Sequence, residues 1–201
     1  LFAERTRRMF GMVRDLLHIS NENDFNKLFS RIEKYENISD NMELEIANYL
    51  NQMSEGRLSS ESKLKIRAML REVTEIESIG DSCYNLARTI NHKYRGNEDF
   101  TEKQYSHIHQ MFQLTDDALN QMVSLVEDEG HQVDVNKSFN LENEINNYRS
   151  QLKNQNVLDV NNKEYDYQMG VHYMDLIGEC EKLGDYIVNV VEARTDMKEK
   201  K

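Results

Sequence analysis

The sequence contains no proline and no tryptophan, and only eight glycines in 201 residues. Because proline and glycine interrupt helices most strongly, their scarcity favours long helices and a nearly all-helical chain. Two cysteines are too few for a disulfide-stabilised scaffold. No apolar run approaches the roughly 18 residues that span a bilayer, so the sequence predicts no transmembrane helix.

Basic residues are outnumbered, since 25 Lys and Arg stand against 36 Asp and Glu, for a formal net charge of −11. This charge repels nucleic acid and anionic lipid and favours cations or basic partner surfaces. Cys83 and Cys180 fall on apolar helix positions, which predicts buried free thiols in a reducing compartment. We therefore expect a cytoplasmic location and no nucleic-acid partner.

Apolar residues recur at steps of three and four along six segments, which is the pattern of packed helices. The predicted helices span about residues 1–19, 24–53, 61–95, 101–129, 135–154 and, after a polar loop through Asn161 and Asn162, the stretch up to a charged tail at 198–201 that we expect to fray. Gly130 is predicted to close the fourth helix. The predicted fold class is all-α, with residues 1–97 and 98–201 as two tandem three-helix bundle repeats.

One short sequence pattern, which we call the frame, occurs in both halves. It runs from Glu77 through Gly80 and Asp81 to Asn85, and it recurs 104 residues later, from Glu181 to Asn189. Each copy places a Glu and an Asp one helical turn apart on the same face, where like charges repel. The repetition suggests that something positive binds there. The glycine within each frame, Gly80 and Gly184, predicts a close helix–helix contact.

The second predicted helix carries further carboxylates at Glu36, Asp40 and Glu43, each one position after a seam residue, namely Tyr35, Ser39 and Met42. Glu77 and Asp81 lie at the same relative positions on the third helix. Packed together, these helices would present five carboxylates along one flank, at a high electrostatic cost unless cations, hydrogen bonds or raised pKa values offset it. Hard cations suit such a cluster, with Mg, Mn, Ca, Fe or Zn as candidates.

The second half is predicted to be poorer in ligands. Pairing its helices with the first half through Glu45-Ile46 and Glu144-Ile145, which are 99 residues apart, places Val135 and Phe139 where Glu36 and Asp40 stand. The candidate metal ligands are therefore five in the first half and three in the second, namely Glu36, Asp40, Glu43, Glu77 and Asp81, and Glu142, Glu181 and Asp185.

A solvated acidic face is the alternative to a metal site. In a helical chain with 36 acidic residues, roughly six acid pairs at a spacing of four are expected by chance, so a single pair is weak evidence. Two copies within a longer frame are harder to obtain by chance, although duplication alone could preserve them for packing.

These acidic frames, the stretch from Glu36 to Ile46 and the stretch from Leu141 to Asn146 resemble PhoU, the phosphate-uptake regulator. They are especially similar to the PhoU-like domains at the cytoplasmic end of bacterial sodium/phosphate cotransporters. The resemblance implies a pair of three-helix bundles, multinuclear metal sites on the paired acidic motifs, and a regulatory role in phosphate transport. The implied partner is a membrane phosphate transporter, which could belong to the same polypeptide, with this chain as the soluble domain of an inner-membrane protein.

The leading hypothesis is thus a non-enzymatic, metal-binding regulatory domain, and a metal-free helical bundle that docks a basic partner surface is the alternative. A ferritin-like di-iron oxidase is disfavoured, because no Glu is followed by His three residues later. The sequence shows no glycine-rich phosphate loop and no zinc-type Cys/His spacing, so we expect no catalytic residues. It leaves open whether the chain forms a homo-oligomer.

Overall fold

The computed structural model describes residues 1–96, 98–127 and 134–198, and within these ranges the chain forms helices and no strands. The six helices are α1 (Phe2–Leu16), α2 (Glu22–Ser54), α3 (Ser60–Arg95), α4 (Glu102–Glu127), α5 (Val135–Asn161) and α6 (Tyr167–Lys198). The all-α prediction is confirmed. No helix in the described part of the chain is long and apolar enough to cross a membrane.

The helices form two three-helix bundles that meet along two pairs of helices. Within each repeat all three helices pack on one another, and the repeats join through α3 against α6 and α1 against α4. Across the described residues, α2 and α5 contact only helices of their own repeat. The helices α3 and α6 therefore occupy equivalent places, as the matching frames predict.

One apolar core runs through both repeats. Phe10 of α1 meets Phe112 of α4 edge to face, with ring centroids 5.5 Å apart, and both rings are fully buried. Cys83 and Cys180 are buried free thiols in the same core, as predicted.

The boundary between the predicted repeats falls at Asn97, which lies outside the described residues and stays a prediction. The predicted stop at Gly130 and the tail beyond Lys198 also lie outside them.

Polar N-cap side chains fix where α2 and α3 begin. Asn21 and Ser59 are the N-caps of α2 and α3, and their side chains accept hydrogen bonds from the backbone N–H three residues later.

The predicted end of the fifth helix, at 154, was wrong, since α5 continues to Asn161. The extra turns are held by Asp159, which is buried and pairs with Lys103 of α4 at 3.0 Å. This tertiary contact overrides the weak helix propensity of the Asn-rich stretch.

The apolar seams are buried along most but not all of their length. In α2 the residues Tyr49 and Met53, which continue the spacing of three and four, are 63% and 45% exposed, and Leu50 is buried instead. Met69 of α3 is likewise exposed. The seam fails at this end because α1, which covers α2 elsewhere, has only 15 residues and cannot reach the last turns of a 33-residue helix.

The two glycines of the repeated frame tolerate a side chain. A Cβ atom on Gly80 would lie 3.8 Å from Cβ of Ser39, and one on Gly184 would lie 3.5 Å from Cδ1 of Ile145, which are ordinary van der Waals contacts. The glycine that lacks space is Gly170 in α6, where a Cβ atom would lie 2.9 Å from Cγ2 of Val160. Both framed glycines lie against a neighbouring helix, but neither contact requires glycine.

We expect Gly80→Ala to stabilise the protein by about 1 kcal/mol, because alanine has the better helix propensity and its methyl group fits. The melting temperature should rise by about 2–4 °C. Gly170→Ala gains the same propensity but must displace the stiff Val160 side chain, so we expect it to be neutral or destabilising. Thermal unfolding of both variants checks this, and a lower melting temperature for Gly80→Ala would show that the contact at Ser39 has no room for a methyl group.

Candidate metal centre

Three carboxylates converge where α2 packs on α3. One oxygen atom from each of Glu36, Asp40 and Asp81 lies within 4.8 Å of the other two. Glu36 and Asp40 are one turn apart on α2, and Asp81 faces them from α3, so the helix spacing and the antiparallel packing together build the group. We name these three residues the carboxylate cluster.

Glu77 adjoins the carboxylate cluster through Asp81, one turn along α3. Burial and the negative charges of Asp81 and Asp40 raise the pKa of Glu77 from 4.5 to about 7. Burial and Asp40 also raise the pKa of Asp81, and burial, Asp40 and Asp81 raise that of Glu36. The pKa values rise first because burial disfavours the charged form, and then because each ionised carboxylate disfavours ionisation of its neighbours.

The fifth predicted ligand, Glu43, lies at the margin of this group. Its carboxylate accepts a hydrogen bond from the hydroxyl of Thr74 on α3 at 3.3 Å, and its charge contributes to the raised pKa of Glu77. The structure therefore brings three of the five first-half candidates within reach of one ion. Glu77 lies beside them on α3, and Glu43 lies one helical turn beyond Asp40 on α2.

The second repeat aligns with the first in a different register from the one that the Glu-Ile pairs suggest. The framed glycines face Ser39 in α2 and Ile145 in α5, so α5 matches α2 at a difference of 106 residues, one heptad more than 99. In this register three residues of α5 occupy the places of Glu36, Asp40 and Glu43, and they are Glu142, Asn146 and Arg149. The placement of Val135 and Phe139 at the ligand positions was wrong, because the pairing was seven residues off.

The second repeat holds its carboxylates without a cluster. Glu142 accepts a hydrogen bond from its own-helix neighbour Asn146, and Glu181 forms an ion pair with Arg149 at 3.2 Å. Asp185 is exposed on α6. Among the residues that the structure describes, no group of three metal-ligating side chains forms here. The guanidinium of Arg149 thus neutralises Glu181, which a bound cation would otherwise have to do.

The asparagine that ends each frame joins the two repeats. Asn85 donates a hydrogen bond to Glu179 of α6 at 3.3 Å, and Asn189 donates one to Glu75 of α3 at 3.0 Å. Glu75 and Glu179 are themselves 104 residues apart, so the repeated frame begins two residues earlier than its Glu-Asp pair. Glu179 also lies close enough to raise the pKa of Asp81. The frame therefore combines an acidic face with a reciprocal contact between α3 and α6.

The carboxylate cluster fits a hard divalent cation better than a soft one. Its donors are carboxylate oxygens alone, and the two cysteines are buried in the core away from it. A cation between Glu36, Asp40 and Asp81 would lower the repulsion that raises their pKa values. The residues present therefore suit the metal that the acidic motifs suggest, and the second repeat does not.

The raised pKa of Glu77 predicts how stability depends on pH in the presence of a chelator. Between 4.5 and about 7 the folded protein keeps a proton that the unfolded chain has lost, so the free energy of unfolding falls as pH rises through this window. Glu77→Gln should flatten this dependence. At pH 7.5 it should stabilise the metal-free protein by on the order of 1 kcal/mol or less, since the half-exposed carboxylates are partly screened by solvent.

The matched control is Glu181→Gln, at the equivalent place in the second repeat. It removes the ion pair with Arg149, so we expect a loss of about 0.2–1 kcal/mol instead of a gain. Denaturant unfolding of the three proteins at several pH values measures both effects. Equal changes in the two variants would contradict the difference between the repeats.

Comparisons with known proteins agree with the fold. A protein-family model described as the PhoU domain matches residues 2–90 and 108–193. PhoU from Pseudomonas aeruginosa superposes with a TM-score of 0.84 at 11% identity, over 100% of this chain and 93% of that one. The phosphate transport system regulatory protein PhoU from Streptococcus pneumoniae gives a TM-score of 0.76 at 16% identity, over 100% and 92%.

At these identities the solved structures establish the shared fold alone. A search of curated proteins gave no match. The family model covers both bundles and most of the chain, and it confirms the resemblance to PhoU that the acidic frames suggest. The chain therefore belongs to the PhoU domain family.

Proposed function

We propose that this chain is a non-enzymatic regulatory domain that binds a metal ion at the carboxylate cluster and controls phosphate transport by contact with a transporter. The observation that carries the proposal is the convergence of Glu36, Asp40 and Asp81 within 4.8 Å in a chain of the PhoU domain family. The similar protein from Streptococcus pneumoniae is a phosphate transport system regulatory protein, and this likeness supports the same role here.

The proposed partner is a membrane phosphate transporter that uses a sodium gradient, either in the same polypeptide or as a separate protein. Support comes from the likeness of the acidic frames to the cytoplasmic domains of sodium/phosphate cotransporters. The net charge of −11 favours a basic contact surface on that partner. The proposed location is the cytoplasmic side of the membrane.

The metal is proposed to bind the first repeat more tightly than the second, with Fe, Mn, Zn or Mg as candidates. Wild-type protein should melt at a higher temperature with added metal than with chelator, since a ligand at 100 times its dissociation constant stabilises the folded state by about 2.7 kcal/mol. Asp81→Asn should be more stable than wild type in chelator, where it relieves repulsion, and should lose the metal-dependent shift.

Asp185→Asn is the matched control, because Asp185 holds the equivalent place in the second repeat and joins no cluster in the described residues. It should keep the metal-dependent shift and the metal content of wild type. Melting curves with chelator and with each of the four ions, together with metal analysis of the purified proteins, separate the variants. A shift that survives Asp81→Asn would place the metal elsewhere.

The alternative function is a metal-free acidic face that docks a basic partner surface. If none of the ions shifts the melting temperature of wild type, this alternative replaces the metal site. The regulatory role has its own test, which is uptake of labelled phosphate, with and without sodium, by cells that carry wild type, Asp81→Asn or Asp185→Asn. Altered uptake in Asp81→Asn alone supports the proposal, and identical uptake in all three contradicts it.

A further inference from the structure

A groove of about 670 Å³ runs along the outer face of α1, between α2 and α4. We name it the α1 groove. Its basic lining residues are Arg8, Arg14, His18, Arg31 and His109, which come from all three helices and the turn that follows α1. Gly11 forms part of its wall, and a Cβ atom there would meet nothing within 4 Å. The groove is therefore open space over a helix backbone, within the size range of small-ligand sites.

The charge of the α1 groove is opposite to that of the protein. Three arginines and two histidines face two carboxylates, Asp15 and Asp116, in a chain with a net charge of −11. Asp116 is already paired with Arg14 at 3.2 Å. Arg31 has no carboxylate within 4.0 Å among the described residues, and its guanidinium lies 5.9 Å from the ring centroid of Tyr35. Positive charge in the groove thus exceeds what its own carboxylates compensate.

The two histidines of the groove pair with each other and can supply further hydrogen-bond donors. Nε2 of His18 lies 2.9 Å from Nε2 of His109, so one imidazole can donate a hydrogen bond to the other only while at least one is neutral. Burial, His18 and Arg14 together lower the pKa of His109. These side chains come from different repeats and pack with their nitrogen atoms toward each other. An anion beside the pair would accept a hydrogen bond from a ring N–H group and would favour the charged form of the ring that donates it.

We infer that the α1 groove binds a phosphate-type oxyanion, with Arg31 and Arg8 as charged donors and the two histidines as further donors. Guanidinium groups match the oxygen geometry of phosphate and keep their charge at all physiological pH values. Arg8 forms an ion pair with Glu4 at 3.3 Å, but its side chain is mostly exposed, so it can turn toward the groove. The inference does not depend on the proposed metal site, because the carboxylate cluster lies on the α3 side of α2.

The test uses the full chain in chelator, with orthophosphate and pyrophosphate as probes and sulfate and chloride as controls at constant ionic strength. Binding is measured by isothermal titration calorimetry. Arg31→Gln removes charge, and Gly11→Met fills the groove without altering charge while improving helix propensity. We expect each to weaken phosphate or pyrophosphate binding about tenfold or more.

Each variant has a matched control. Arg67→Gln removes an exposed arginine of α3 away from the groove, and Gly178→Met adds the same side chain at another glycine with nothing within 4 Å. Both controls should bind as wild type does. Thermal unfolding of all four variants verifies that they remain folded.

A lipid headgroup presents the same chemistry as a free phosphate, so a second arm measures co-sedimentation with vesicles of phosphatidylglycerol and of phosphatidylcholine. The site is supported if free anions or anionic vesicles bind saturably, if Arg31→Gln and Gly11→Met lose this binding and if the controls keep it. Which of the two probes binds shows whether the ligand is a free phosphate or a lipid headgroup. Absence of both kinds of binding, equal binding of chloride, or binding that survives the two substitutions would overturn the inference.

Discussion

The antiparallel packing of α3 on α6 is the contact on which the other features of the structure depend. It joins the two repeats through a buried apolar face that includes Cys83 and Cys180, and it is fixed at both sides by the reciprocal bonds of Asn85 with Glu179 and of Asn189 with Glu75. The other side of α3 faces α2 and carries Asp81. The position of one helix therefore determines both how the repeats meet and where the carboxylates lie.

Like-charge repulsion is treated differently in the two repeats. In the second, Arg149 at the place of Glu43 compensates Glu181, and Asn146 at the place of Asp40 removes one negative charge while donating to Glu142. In the first repeat no cationic side chain among the described residues pairs with the carboxylate cluster, and burial together with the neighbouring carboxylates raises the pKa values of Glu77 and Asp81. Such a group destabilises the folded state at neutral pH, so it calls for an external positive charge or a role in contact with another molecule. The difference between the repeats supports the proposal that the first repeat binds a metal more tightly than the second.

Much of this fold could be predicted from the sequence because its signals are local. Six periodic segments, the caps at Asn21 and Ser59 and the absence of proline determine the helices, and the spacing of Glu36 and Asp40 places both on one face. The register between the repeats could not be predicted in this way. A shift by one heptad keeps every seam residue in the seam, so the hydrophobic pattern fits differences of 99 and 106 residues equally well. Only the contact of Gly184 with Ile145 distinguishes them.

Two other features could not be predicted from local signals, because they depend on contacts between distant parts of the chain. The end of α5 depends on the pairing of Asp159 with Lys103, 56 residues away, and no local signal reports it. The repeated glycines predict close approach, whereas the space beside a glycine depends on the residue opposite, which is Ser39 for Gly80. Small partners leave room for a methyl group, and a branched partner such as Val160 does not.

The position of α2 relates the carboxylate cluster to the α1 groove. Glu36 and Asp40 face α3, whereas Arg31 and Tyr35 line the groove beside α1, so neighbouring residues of one helix contribute to sites of opposite charge. Within the described residues, α2 packs only on α1 and α3 and takes no part in the contact between the repeats. A ligand in either site would act on a helix that can adjust without separating α3 from α6. Both ligands would contact α2. Binding of the cation would then change the affinity for the oxyanion, and the reverse, and this coupling would run through the stretch of α2 from Arg31 to Glu36.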